Sequence, residues 1–121
     1  MKEEFLQYIW ANSLYKGRGF TTHTGKNVQI LHPGEANRNA GPDFFNARIQ
    51  MNGLILAGNV EIHLKSSDWY NHGHHRDAAY NNVILSVVKT NDVRVYDSRK
   101  REVESVVLEF ADDLYREYVF M

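Results

Sequence analysis

The dipeptide Asn52-Gly53 constrains the fold of this chain more than any other short stretch. Asn-Gly is the strongest short-range signal for a two-residue hairpin turn, because both residues tolerate the left-handed backbone of a type I′ turn. The flanking segments 43–51 and 54–65 alternate apolar and polar residues, as half-buried strands do. We therefore predict an antiparallel hairpin whose first strand has one buried side formed by Phe45, Ala47, Ile49 and Met51.

The other segments extend this hairpin into an α+β (α/β-like) domain. Apolar residues at three- and four-residue spacing predict an N-terminal amphipathic helix over 3–15, ended by the glycines after Lys16. The β-branched run 82–89 predicts a strand buried on both faces. Gly58 indicates a bulge or a close backbone approach. Further predictions are a strand (27–32), a polar loop (33–42), a loop and short helix ending near Tyr80 (66–80), a second hairpin (93–97 with 103–110) and a closing helix (112–118).

Composition excludes several classes of site. The chain has 121 residues, which suits a single domain over 1–121. It has no cysteine, so disulfides and thiolate metal sites are excluded. Its net charge of −1 argues against a broad basic nucleic-acid surface, but leaves room for a small site that holds phosphates through a metal.

Both ends of the chain bear on location and partners. Acidic residues near the N-terminus and the absence of a long apolar run indicate a cytoplasmic protein with no membrane partner. The last residues, YVFM, are apolar. They predict packing on the sheet, contact with a partner such as a second copy, or a chain that is the N-terminal part of a longer protein.

The second strand of the hairpin carries the sharpest functional signal. Period-two alternation places Glu61, His63 and Lys65 on one face. Hairpin pairing puts Asp43 opposite Ile62, so Asp43 neighbours both Glu61 and His63. Two carboxylates and an imidazole then converge at one end of the sheet, which is a way to hold a divalent cation. The alternative is an exposed polar strand face that needs no function.

Histidines follow this strand closely. Four of the six in the chain lie within 58–77, together with Asp68. Asp68 suits either a helix N-cap or a metal ligand, and His72, His74 and His75 lack the i, i+4 spacing of a helical zinc site. A solvated loop explains these histidines, and the alternative is that His72 or His74 joins a metal site.

The GPD and EIH motifs, at Gly41–Asp43 and Glu61–His63, resemble the PD-(D/E)XK nuclease-like fold. The resemblance implies a restriction-endonuclease-like αβββαβ core in which Asp43 and Glu61 bind Mg²⁺. It also implies a lysine two residues after the glutamate that helps to activate water. His63 stands at that position here, and Lys65 lies one period further on the same face.

A longer motif string is similar to an uncharacterised bacterial family of larger proteins. Ser86 departs from its pattern, which has a histidine there. That family implies no particular reaction. The matching stretches are Pro33-Gly34, Asn37, Gly41–Phe44, Ala47, Val60–His63, Ser67–Trp69, His72 and His74.

Three functional hypotheses follow. The first is a metal-dependent phosphodiesterase in which Asp43 and Glu61 bind Mg²⁺ or Mn²⁺ and His63 or Lys65 activates water. The second is a nuclease-fold binding or assembly domain without catalysis. The third is a zinc hydrolase that uses His63, His72 and His74, because imidazole suits Zn²⁺.

Overall fold

The computed structural model describes residues 1–121 and contains three α-helices and nine strands. The helices are α1 (Glu3–Ala11), α2 (Asp68–Asn71) and α3 (Asp112–Val119). Two 3-10 turns, His74–Arg76 and Ala78–Tyr80, follow α2. The strands are β1 (Phe20–Thr21), β2 (Asn27–His32), β3 (Glu35–Ala36), β4 (Phe44–Met51), β5 (Leu54–Lys65), β6 (Val83–Thr90), β7 (Val95–Tyr96), β8 (Glu102–Val103) and β9 (Ser105–Val107).

The main sheet is mixed, which confirms the α+β class. Its seven strands run in the order β1-β2-β4-β5-β6-β9, with β3 also paired to β4. Pairing is antiparallel as far as β5, and β5, β6 and β9 are parallel to one another. The sheet curls so that its two edge strands, β1 and β9, approach each other. Just after β1, the His23 N–H donates to the carbonyl of Ser105 in β9 at 3.1 Å. The result is a partly barrel-like sheet.

The N-terminal helix is shorter than the sequence predicts. It ends at Ala11 and not at Tyr15. Ser13 adopts a left-handed φ of 53°. The Leu14 N–H donates to the Ile9 carbonyl and the Ser13 N–H to the Trp10 carbonyl, which is a Schellman cap. Serine therefore takes the terminating position that the sequence analysis gave to the later glycines.

The β4–β5 hairpin forms around Asn52-Gly53 as predicted, but it contains a bulge. Ala47 pairs with Gly58, whereas Phe44 pairs with Val60, so β4 holds one extra residue. Asn46 takes up this residue with a left-handed φ of 57°. Phe44 thereby turns into the core and Phe45 turns outward, which corrects the prediction that Phe45 faces inward.

Gly58 marks a close backbone approach. A Cβ at this position would lie 2.9 Å from the Asn82 carbonyl oxygen and would also meet the Ile84 side chain. The neighbouring strand β6 is buried on both faces, as predicted, with Leu85 and Val87 buried on one face and Ser86 and Val88 on the other.

Two apolar clusters cover the two faces of the sheet. The larger one joins α1 to Val60, Ile62, Leu85 and Val87. The smaller one contains Trp69, Tyr80, Val83, Val95 and Val103. Alternation along β5 puts Glu61 and His63 on the face of the smaller cluster.

Two other predictions need correction. Residues 103–110 do not form one hairpin strand, because Val103 belongs to the smaller cluster and Val106 to the larger. The chain therefore leaves the small β7–β8 sheet and joins β6 as β9. Residues 66–80 do not end in one short helix, because the left-handed Gly73, with φ of 74°, separates α2 from the 3-10 turns.

Candidate metal centre

The site lies beyond the N-terminal end of β4. Phe44 is the first residue of β4 and pairs with Val60, so the edge of β5 that faces β4 has no strand beside it after Val60. Asp43 fills this notch. Its Oδ2 accepts the Ile62 N–H at 2.9 Å, and its Oδ1 accepts the Gln7 side-chain N–H at 3.2 Å. The carboxylate is thus fixed between α1 and β5.

Glu61 connects Asp43 to the histidines. Its Oε1 accepts the Asp43 backbone N–H at 3.0 Å. Its Oε2 lies 3.3 Å from His63 Nε2 and 2.8 Å from His74 Nε2. Glu61 is 4% exposed and His63 is fully buried, so neither belongs to a solvated strand face.

Three imidazoles come together at this end of the site. One ring nitrogen from each of His63, His72 and His74 lies within 4.8 Å of the others. The His63 and His74 rings are stacked at 5.2 Å, and His74 stacks on Tyr80 at 3.7 Å between ring centroids. Tyr80 and Trp69 therefore fix the His74 ring on two sides. His72 is exposed and stands at the rim.

The inner nitrogens lack protein partners. Neither His63 Nε2 nor His74 Nε2 makes a hydrogen bond of good geometry, although both are buried. Their short distances to Glu61 Oε2 are therefore close approaches without a well-aligned N–H. Donor atoms that share one metal ion at about 2.0–2.2 Å are themselves roughly 3 Å apart.

The two carboxylates differ in proton affinity. Burial, reinforced by the charge of Glu61, raises the pKa of Asp43 to about 7. Burial alone would also raise the pKa of Glu61, but the contacts with His63 and His74 outweigh it and lower this pKa to about 2. Glu61 is thus the permanent anion of the pair.

Three neighbouring groups, His63, Tyr80 and Glu3, also have raised pKa values. Burial opposes the charge on His63, yet its contact with Glu61 outweighs burial and raises the pKa of the ring. Burial, followed by the charges of Glu61 and Asp43, raises the pKa of Tyr80 to about 12. Burial also raises the pKa of Glu3, while His63 and His72 act in the opposite direction.

The structure does not bring every candidate residue into the cluster. Lys65 is exposed and makes no ion pair. Asp68 Oδ2 accepts the Lys65 N–H at 3.2 Å, and its Oδ1 accepts from Asn71, so this carboxylate serves the turn that starts α2. His75 packs its ring against Tyr70 instead.

Sequence reasoning missed the contribution of α1. Glu3 lies close enough to His63 and His72 for their charges to act on it, and Gln7 binds Asp43 directly. Glu3 and Gln7 are four residues apart and so share one side of the helix. A polar i, i+4 pair beside an apolar stripe was the available signal, but nothing in the sequence directed that side towards the hairpin.

Comparison with family models gives one match that spans nearly the whole chain. The model described as "Protein of unknown function (DUF2851)" matches residues 3–121. The chain belongs to the DUF2851 family. Neither the curated proteins nor the solved structures give a significant match to it. None of its helices has the length and apolar character needed to cross a membrane.

The donor set of this DUF2851 chain fits a divalent transition metal. Two buried imidazole nitrogens without partners converge on one anionic oxygen, and a third imidazole stands at the rim. Imidazole suits Zn²⁺, whereas carboxylates suit Mg²⁺ and Mn²⁺. His63, His74 and Glu61 would hold the ion, with His72 as a fourth ligand on the solvent side and Asp43 behind Glu61.

Proposed function

We propose that this domain is a metal-dependent hydrolase of phosphodiesterase, nuclease-like type, centred on Glu61, His63 and His74. One observation carries the proposal. The nitrogens His63 Nε2 and His74 Nε2 are buried, lack hydrogen-bond partners, and lie 3.3 Å and 2.8 Å from the same carboxylate oxygen. Buried polar groups in proteins are normally satisfied, so this arrangement points to a bound cation.

The donor set changes the preferred ion. From the carboxylates alone we expected Mg²⁺ or Mn²⁺, with Zn²⁺ as the alternative. Imidazole nitrogens in the cluster favour Mn²⁺ or Zn²⁺ over Mg²⁺, because Mg²⁺ demands oxygen ligands and retains its waters.

The surrounding residues can support this reaction. A divalent ion at this site would supply a hydroxide nucleophile at neutral pH and positive charge beside the scissile phosphodiester. The negative carboxylate of Glu61 lies beside the Nε2 atoms of His63 and His74. Packing by Tyr80 and Trp69 keeps the His74 ring in place. Asp43, with its raised pKa, is the group beside the centre that can accept a proton near neutral pH.

The strand order supports the nuclease-like assignment. An N-terminal helix packs on an antiparallel hairpin that carries Asp43 and Glu61, and β5 then crosses over to the parallel strand β6. This is the order that the resemblance to the PD-(D/E)XK fold implies. Lys65 does not take the lysine role, since it is exposed and outside the cluster.

A second candidate is a binding or assembly domain of the same fold without catalysis. The position of Lys65 favours it, because one of the two groups expected to activate water lies outside the centre. The two candidates share a metal site and differ in turnover.

Calorimetric titration of Mg²⁺, Mn²⁺ and Zn²⁺ tests the centre. We expect the wild-type protein to bind Mn²⁺ or Zn²⁺ and Glu61→Gln or His74→Asn to weaken binding by roughly 10-fold or more. Lys65→Ala is the matched control from the same strand and should bind as wild type. Equal metal affinity in all four proteins would refute the proposal.

Cleavage of a fluorescent oligonucleotide with the preferred ion separates the two candidates. Turnover that disappears in Glu61→Gln and persists in Lys65→Ala supports the hydrolase. Metal binding without turnover supports the binding domain instead.

A further inference from the structure

A shallow depression of about 430 Å³ lies on the sheet outside the metal centre. It is lined by His32, Glu35, Asn46, Arg48 and Ala57, of which only the alanine is apolar. All five residues are exposed, and none of them belongs to either apolar cluster. This part of the sheet is therefore open to solvent and to a binding partner.

Strand register places the depression on the same face as the metal centre. Arg48 on β4 pairs with His32 on β2 and with Ala57 on β5. Residues paired across neighbouring strands point to the same face. Ala57 and Glu61 also share a face, because they are four residues apart on β5, at a separation of roughly 13 Å. The depression and the metal centre are two parts of one surface.

The hydrogen-bond donors of this depression have no partner in the protein. Arg48 makes no ion pair, although Glu35 lines the same depression. The Gly34 N–H donates to His32 Nδ1 at 3.0 Å, so the neutral ring carries its proton on Nε2. A guanidinium and an imidazole N–H thus stand side by side. Both donate to phosphate oxygens, and arginine does so through two N–H groups at once.

An aromatic side chain accompanies these donors. Phe45 is 37% exposed, faces outward, and lies on β4 between Arg48 and the end of the strand next to Asp43. Proteins that bind single-stranded nucleic acid hold the phosphates with cationic groups and stack the bases on exposed aromatic rings. A cation, an aromatic ring and the metal centre therefore follow one another along β4.

We propose that this face binds a single-stranded nucleic acid, with Arg48 and His32 on one phosphate and Phe45 against a base. The proposal rests on the proposed function for the place of the scissile bond, at the metal centre, whereas binding itself needs neither metal nor turnover. No single phosphate can occupy both places. The substrate is therefore a chain of several nucleotides and not a small phosphodiester.

Fluorescence anisotropy with a labelled oligothymidylate of about 12 nucleotides, in buffer with a metal chelator, tests the surface. Arg48→Gln should weaken binding by about 5- to 10-fold at low salt and lower the slope of log affinity against log salt by about 0.7. Glu35→Gln should tighten binding. Arg116→Gln and Glu117→Gln make the same charge changes on α3, behind the sheet, and should leave the affinity unchanged.

The aromatic contact has its own variant. Phe45→Leu keeps an apolar side chain and should weaken binding of the single strand by roughly 5-fold or more, and binding of a duplex of equal length less. Equal effects of Arg48→Gln and Arg116→Gln, or tighter binding of the duplex than of the single strand, would overturn the proposal.

The wild-type protein separates this proposal from the proposed function. Oligothymidylate binding that depends on Arg48, without cleavage when metal is added, supports the surface and refutes the hydrolase. Metal-dependent cleavage of bis(p-nitrophenyl) phosphate without binding of the oligothymidylate supports the hydrolase and overturns the surface.

Discussion

The two oxygens of Glu61 have separate tasks. Oε1 accepts the Asp43 backbone N–H and so holds the hairpin end in place, while Oε2 faces His63 and His74. A carboxylate in this position combines structure with ligand chemistry. Replacing it by glutamine retains an acceptor for Asp43 but removes the charge, which makes Glu61→Gln informative about the centre.

Asp43 gives a pH-dependent prediction for the metal-free protein. Its carboxyl titrates near pH 4 in the unfolded chain and at about 7 in the fold. Between these values the folded state holds a proton that the unfolded state has lost, so raising the pH lowers the free energy of unfolding. The Asp43→Asn variant has no carboxyl proton to gain or lose at this position. Rotation of the Gln7 side-chain amide allows Gln7 to keep a hydrogen bond to residue 43.

Urea unfolding of both proteins from about pH 5 to about pH 8 measures this effect. The stability of Asp43→Asn relative to the wild type should rise with pH and level off above about 7. A difference that stays constant with pH would contradict the raised pKa of Asp43.

At the level of the element, the bulge in β4 decides how the site is assembled. The extra residue at Asn46 shifts the pairing so that Phe44 lies opposite Val60, which brings Asp43 to Glu61. Asn59 stabilises the bulge, because its Oδ1 accepts the Asn46 N–H at 3.3 Å. Asparagine is one of the few residues other than glycine that adopts this backbone readily.

Asn46→Val and Asn46→Gly form a matched pair for this feature. The free energy of unfolding should be about 1–2 kcal/mol lower for the valine variant than for the glycine variant, because a β-branched residue resists a left-handed φ. Zn²⁺ affinity should fall in the valine variant as the Asp43–Glu61 contact is disturbed. Thermal unfolding and calorimetric titration measure the two quantities, and equal values for both variants would show that the bulge is unimportant.

The hairpin shows how far sequence reasoning reaches. Asn52-Gly53 and the alternation around it predicted the turn, both strands and the neighbourhood of Asp43 and Glu61. Gly58 indicated a bulge or a close backbone approach in this hairpin, but alternation could not place the extra residue at Asn46, because an asparagine in a strand carries no visible mark of its φ. His74 was one of the candidate ligands, but its burial could not be predicted, since it depends on Tyr80 and Trp69, which only the folded crossover places around it.

For the whole molecule, the sheet separates stability from the site. Phe5 anchors α1 and contacts Phe110, Tyr115 and Tyr118 in the larger cluster. Trp69 lies on the opposite side of the sheet, where it packs on His74 and donates its Nε1–H to the Tyr96 carbonyl at 3.0 Å. The two faces therefore support different properties.

Phe5→Leu and Trp69→Phe test this separation. Both should lower the free energy of unfolding by about 1–3 kcal/mol, because each removes buried apolar volume. Trp69→Phe should weaken Zn²⁺ binding more than Phe5→Leu, since Trp69 packs directly on the ligand His74, whereas Phe5 acts on the centre indirectly, through the contact of α1 with Asp43. Equal affinities in these two variants, measured by titration, would contradict a metal centre supported by the smaller cluster.

The parallel crossover from β5 to β6 has a consequence for the time course of folding. A hairpin closes within roughly 1–10 μs, whereas parallel strands gain no hydrogen bonds until the whole connection between them is ordered. The Asp43–Glu61 contact belongs to the hairpin, and His72 and His74 belong to the connection. During folding, the carboxylates of Asp43 and Glu61 should therefore come together first, and His72 and His74 should join the centre last.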